Sequence, residues 1–212
     1  MQAYYAARAA EYDRIYLKPE RQTDLRQIER WLPEVLFGRS VLEIACGTGY
    51  WTRFFAGGSS RVLAVDSARE TLDIAESRGC GDKVTFRVGD AYDIPVEERK
   101  FSAAFAGFWW SHIPKARSAE FLRGLHAALE PGAKVVFLDN RFIAGSSTPI
   151  AERDSDGNTY QTRALSDGSS HRIQKNFPSR DELFNAIAPL AKNPRFHEWD
   201  HYWALEYSTH SP

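Results

Sequence analysis

The residues able to do chemistry in this chain fall into a few short strings. Between Val41 and Trp51 an apolar run broken only by Glu43 leads into Gly47, Thr48 and Gly49. Val41 to Ala45 predicts a strand, the glycines a tight turn, and Tyr50 to Ala56 the start of a helix. Glycine lets backbone approach a ligand because no Cβ stands in the way. The unbonded N–H groups at a helix start favour a negative group nearby. In an α/β chain this is where a nucleotide-like ligand binds. A dinucleotide fingerprint asks for a third glycine three residues after the second, and Thr52 stands there instead.

Two acids follow at strand ends. Asp66 closes a predicted strand from Arg61 to Val65, nineteen residues after Gly47. A carboxylate so placed can accept hydrogen bonds from both ribose hydroxyls. It can also cap the helix predicted from Ala68 to Ser77, as can Ser67, and the two roles are compatible. Asp90 follows a third predicted strand, Val84 to Val88, where an acid also serves as a turn former. Phe101 to Phe108 predicts the fourth strand, and Trp109, Trp110, Ser111, His112, Ile113 and Pro114 lie at its carboxyl end. That is the ligand edge of an open α/β sheet. Aromatic faces attract cations, so Phe108 or Trp109 can face a positive ligand group or fill the interface between strand and helix. His112 can take a proton near neutral pH, or serve as a packed ring or cap. Farther on, Arg163, Arg172 and Lys175 lie on a predicted hairpin with Arg141 at its root. They can hold an acidic substrate, arginine by a two-pronged grip, or form a solvated face.

The elements that must position these groups suit one domain spanning 1–212. A chain of 212 residues is long enough for one α/β core and short for two. Hydrophobic content of 43% and charged content of 26% are those of a globular protein. A net charge of −1 argues against a broad nucleic-acid or membrane surface. Cys46 and Cys80 make no disulfide framework, and no secretory signal or membrane span is visible, so a cytoplasmic setting is expected.

Residues 2 to 16 predict a helix with Tyr5, Arg8 and Tyr12 on one face, either a lid over the ligand mouth or a surface helix. Pro19 can open a second helix, to about Trp31, with Leu25, Ile28, Trp31 and Leu32 as its apolar stripe, closed by Pro33 and Gly38. Lys115 to Leu129 predicts a helix, broken by Pro131 and Gly132, and Ala133 to Leu138 a fifth strand. The segment 141–178 is too long for a simple connection. Thr159 to Leu165 and Ser170 to Lys175 predict an inserted hairpin turning at Ser166, Asp167 and Gly168. Ser179 and Glu182 form a capping box, and Phe196 to Tyr207 predicts the closing antiparallel strands.

The string from Val41 to Trp51 resembles motif I of the class I S-adenosylmethionine-dependent methyltransferases, and the resemblance covers nearly the whole chain. It implies a Rossmann-like, mostly parallel seven-stranded sheet of order 3-2-1-4-5-7-6 with strand 7 antiparallel. Residues 1–33 would form lid helices and 141–178 the inserted hairpin. It implies S-adenosylmethionine as cofactor, held by Tyr5, Arg8, Tyr12, Glu43, Ala45, Gly47, Thr48, Gly49, Trp51, Asp66, Ser67, Asp90, Ala91 and Phe108. The start, Tyr4-Tyr5 through Arg8 to Asp13, with Arg172, Ile173 and Lys175, is similar to small bacterial natural-product O-methyltransferases of the phosphonate type. In that sub-family Arg163 and Lys175 would meet a small anionic acceptor, with His112 near the reacting oxygen; Tyr16, Trp109 and Arg141 are expected at the same acceptor. The assembly expected is a monomer or homodimer. Asp139 and Asn140 are similar to metal ligands of catechol-type enzymes, but Gly107 and Phe108 stand where a further carboxylate belongs, so no metal is expected. A protein that binds the methyl donor without transferring its methyl is a second reading.

Overall fold

The structure is a computed structural model; it describes residue 4 and residues 8–94, 100–165 and 168–210, without the side chains of residues 9, 10 and 12. Tyr5, the side chain of Tyr12 and the hairpin turn at Ser166 and Asp167 therefore lie outside the described residues.

The first segment, Ala9–Leu17, is helical as expected, and of the 3-10 type. Its three-residue turn aligns Asp13 with Tyr16. Asp13 accepts a hydrogen bond from Thr48 Oγ1 at 2.7 Å and pairs with Arg78, while Tyr16 stacks on Tyr50 at 3.6 Å. Contacts with the glycine turn outweigh the poorer 3-10 bonding. A 3-10 turn at Pro19–Arg21 leads into helix α1, Gln22–Leu36. The helix runs through Pro33 rather than stopping there. Leu36 extends the fully buried stripe of Leu25, Ile28 and Leu32, which offsets the missing proline N–H. Trp31, expected in that stripe, is only partly buried.

The chain then forms β1 (Ser40–Ile44), α2 (Thr52–Phe55), β2 (Arg61–Asp66), α3 (Arg69–Ser77), β3 (Val84–Val88) and β4 (Phe101–Gly107). Helix α4 (Ser118–Ala127) and β5 (Leu129–Asn140) follow. Leu129, expected to end the helix, instead opens β5 opposite Phe101. The register then shifts before Ala103 meets Lys134, so Pro131 and Gly132 bulge within a strand instead of separating two elements. The insertion holds β6 (Glu152–Arg153), β7 (Thr159–Ala164) and β8 (Ser170–Gln174). The hairpin thus gains a third, two-residue strand, too short to leave a pattern in the sequence. After it come α5 (Arg180–Ile187), capped by Ser179 and Glu182, β9 (Ala191–Glu198) and β10 (Tyr202–Thr209).

The large sheet has the order β3-β2-β1-β4-β5-β10-β9, with β10 antiparallel to both neighbours. This is the expected order, β9 and β10 standing as the sixth and seventh strands. Alternating strand residues feed two apolar layers. Val41 and Phe105 pack with the α1 stripe, and Leu42 and Ile44 with Phe121, Leu122 and Leu125 of α4. No helix among the described residues is long and apolar enough to cross a membrane.

Gly49 has φ +71°, and a Cβ added there meets the Ala75 Cβ at 3.0 Å. Gly49→Ala is expected to lose about 1–2 kcal/mol from the left-handed backbone alone, with crowding against α3 added. Urea unfolding measures this, and an unchanged midpoint contradicts the packing account.

Candidate active site

Two cavities meet at the carboxyl end of the parallel strands. The smaller, about 220 Å³, runs between the ends of β1, β2, β3 and β4. It is lined by Ala45, Gly47, Asp66, Ser67, Asp90, Ala91, Phe108, Trp109 and His112 among others. Asp66 works on both sides of it. Its Oδ2 accepts from Gly47 N at 2.8 Å, and its Oδ1 accepts from Ala68 N at 3.0 Å and Thr71 Oγ1 at 3.2 Å. One carboxylate thus fixes the glycine turn and the start of α3, and burial holds its pKa above the ordinary value. Asp90 turns the chain by accepting from Tyr92 N at 2.9 Å. Gly47, at φ +56°, has open space where a Cβ would stand, so its backbone faces the cleft bare. Bare backbone beside two acids fits a nucleoside's hydroxyl and amino donors.

Not every motif I residue lines this cleft. Gly49 packs on α3 instead. Glu43, Thr48, Tyr16 and Trp51 surround a void of about 20 Å³ under the turn. Glu43 is buried, accepts from Thr52 Oγ1 at 2.6 Å, and has its pKa raised by burial to about 8. Tyr16, expected at the acceptor, is buried beside this void, where its ring stacks on Tyr50.

The larger cavity is about 330 Å³. Arg8, Lys18 and Arg21 enter it from the N-terminal segment, His112 and Phe108 from the end of β4, and Arg163 and Lys175 from the small sheet. Among the described residues that line it there is no aspartate or glutamate. Arg8 therefore belongs to this cavity rather than to the nucleoside cleft, and Trp109 to the cleft rather than to this cavity. Arg163 donates to Gln161 Oε1 at 2.7 Å and 3.2 Å. Arg141 lines neither cavity: its guanidinium pairs with Glu198 at 2.8 Å and donates to the Trp199 carbonyl. Arg172 likewise faces Glu152, away from the cavity.

Lys175 is buried, and its Nζ donates to Asp139 Oδ1 at 2.8 Å and to Ser111 Oγ at 2.6 Å. Burial drives its pKa below the ordinary lysine value, with Asp139 opposing. Burial alone would raise the Asp139 carboxyl, but Lys175 brings it below its usual value. Asp139 is thereby committed to this pair and to the Ser111 amide. His112 Nδ1 lies 2.6 Å from the Gln174 carbonyl. A carbonyl only accepts, so Nδ1 carries the proton and Nε2 is the basic nitrogen. Burial, then the Lys175 charge, lower the His112 pKa to about 3. His112 and Phe108 line both cavities, so these residues form the border the two spaces share.

Sequence reasoning missed Lys18 and Arg21, which flank Pro19 three residues apart, a spacing that one 3-10 turn brings to one side. It also missed the clasp of Asp13, Thr48 and Arg78 over the glycine turn.

A methyltransferase domain family matches residues 41–132. A solved complex of DhpI with SAH is similar over 100% of this chain and 96% of its own, with TM-score 0.81 and 30% identity. A DhpI complex with SAM and HEP is similar over 97% and 94%, with TM-score 0.80 and 32% identity. The malonyl-(acyl-carrier protein) O-methyltransferase of Serratia marcescens is 29% identical over 118 residues, 54% of this chain and 43% of its own length. The chain thus spans less than half the length of the curated relatives it matches.

Asp139→Ala strands the Lys175 ammonium in the interior and is expected to cost about 3–5 kcal/mol by urea unfolding. The folded pKa of His112 lies below its unfolded value of about 6.5. The unfolded chain therefore binds more protons below that pH. Stability should fall as pH drops from about 6.5 toward 3, and His112→Gln should flatten this slope. His126, lowered by burial to about 4, contributes in the same direction and is retained in that comparison. An unchanged slope contradicts the buried neutral imidazole.

Proposed function

The chain belongs to the class I S-adenosylmethionine-dependent methyltransferases and uses S-adenosylmethionine as its cofactor, and we propose that it passes the methyl group to an oxygen of a small acidic acceptor. What carries this reading is the junction of the two cavities. One is lined by acids and bare backbone, the other by cations with no carboxylate among the described residues, and His112 and Phe108 border both. The cofactor supplies a methyl on a positive sulfonium, open to in-line attack by an oxygen. That an O-methyltransferase stands among the similar proteins supports transfer to oxygen.

In this reading Asp66 accepts from the ribose hydroxyls while keeping its grip on the Gly47 amide. Asp90 and the Ala91 backbone face the adenine, and Ser67 and Trp109 border the same cleft. Gly47 gives the close backbone approach. Glu43, Thr48, Gly49 and Trp51 support the turn from beneath. Phe108 presents an aromatic face at the junction, where it suits a sulfonium. Arg163 holds the acceptor's anionic group, while Lys175, paired with Asp139, keeps the cavity wall in place. The protein's contribution is then alignment and exclusion of water. An ionised carboxylate or phosphonate oxygen needs no base. A hydroxyl acceptor would need His112 Nε2 to take its proton, and a pKa near 3 makes that imidazole a poor base. The buried neutral ring therefore favours an acceptor that arrives already ionised.

Methyl-labelled donor offered to small carboxylates, phosphonates, phenols and neutral alcohols tests this. Label should enter the anionic acceptors. Their kcat/KM should follow the acceptor's own ionisation rather than a group titrating near 6.5. Arg163→Met is expected to raise the acceptor KM by roughly 10- to 100-fold, the loss of one charge-assisted hydrogen bond, with donor affinity unchanged. A protein that binds donor and labels nothing, or that prefers neutral acceptors, refutes the assignment.

A further inference from the structure

Arg21 is 7% exposed and lines the cation-rich cavity. Its Nη1 donates to Asn140 Oδ1 at 3.0 Å and its Nη2 to Ser146 Oγ at 3.2 Å, both neutral acceptors. Its Nε is buried with no hydrogen-bond partner. The Tyr202 ring lies 5.7 Å from the guanidinium carbon. No carboxylate among the described residues comes within the 4.0 Å of an ion pair. Asp24 and Asp139 are engaged elsewhere, and Glu20 meets Arg21 only through the shared Ser146 hydroxyl. Asp24 Oδ2 accepts from His201 N and faces His201 Nδ1 at 3.0 Å. Glu20 accepts from Ser146 Oγ at 2.9 Å, and Asp139 faces Lys175.

A buried cation with an orphan donor and only neutral partners is costly to keep. Lys175 differs, because it carries its own counter-ion into the interior. The charges available to a ligand are therefore not those nearest the reacting edge in sequence. Resting on the anionic-acceptor reading, we infer that Arg21 is a specificity-determining residue: together with Arg163 it takes the acceptor's negative group, and Lys175, already neutralised, does not. The planar guanidinium suits a carboxylate, phosphonate or phosphate oxygen pair. Asn140 and Ser146 hold it in orientation from the end of β5 and the loop beyond.

The test uses the full chain saturated with S-adenosylhomocysteine and titrated calorimetrically with ethylphosphonate. Arg21→Met should weaken ethylphosphonate binding at least tenfold, leave S-adenosylhomocysteine affinity unchanged, and unfold without ethylphosphonate at the wild-type temperature or above it. A merely structural arginine would show the opposite thermal shift. A loss of less than tenfold, or a parallel loss of S-adenosylhomocysteine affinity, overturns the assignment. Arg21→Gln is read by the same criteria should the methionine variant not fold, and failure of both to fold also overturns it. If the wild type binds no ethylphosphonate and methylates neutral acceptors, the anionic-acceptor reading itself fails. That outcome is distinct from an Arg21 variant that binds ethylphosphonate as the wild type does.

Discussion

A lysine ammonium and an aspartate carboxylate, both shut away from water, fasten the small sheet to the end of β5. Each would be expensive alone in the interior. Together with the Ser111 hydroxyl and amide they form a closed set of charge-assisted hydrogen bonds. Asn176 extends it, its N–H donating to the Ser111 carbonyl and its side chain to the Ile113 carbonyl. This knot is one of several ties, with those of Ser146 to Lys18 and Arg21 and of Asn158 to Lys115, that hold the insertion over the sheet edge. With it, Arg163 reaches the cavity and the Gln174 carbonyl reaches His112. Burial, then the Lys175 charge, keeps the His112 ring beside the knot neutral.

The second constraint is the backbone at the strand ends. Ala45 after β1 and Phe108 after β4 both have positive φ, +54° and +59°. Such conformations are disfavoured for side chains with a Cβ and cluster at functional sites. Here β1 and β4 are neighbours on either side of the point where the strand order reverses. Both chains must turn sharply away to leave a crevice between them. The turn at Phe108 also puts its ring between the two cavities. The acid-lined cleft and the cation-lined cavity are complementary in charge to the two partners proposed for them. Complementarity of this kind orders the ligands before any chemistry begins.

The sheet order, both strand-end acids and the capping box at Ser179 were legible because short-range rules govern them. A strand ends, a glycine turn follows, and the acid that closes the next strand falls beside it. The groups whose placement the sequence did not reveal are those whose fate depends on distant partners. Arg141 and Lys175 read alike in sequence, yet Glu198 draws one outward and Asp139 holds the other inside. Tyr16 carries no mark that Tyr50 will stack on it. Pro33 looks like a helix stop until Leu36 is seen to be fully buried. Lys18 and Arg21 resemble surface charges on a helix start, and only the loop after β5 turns them into cavity walls.

The most direct examination of the account is a crystal structure grown with S-adenosylhomocysteine and a small phosphonate together. The account places the sulfur at the junction beside Phe108 and His112, the ribose on Asp66, and the phosphonate in the cavity walled by Arg21 and Arg163. A phosphonate found elsewhere, with that cavity filled only by water, or a sulfur turned away from the junction, would contradict it.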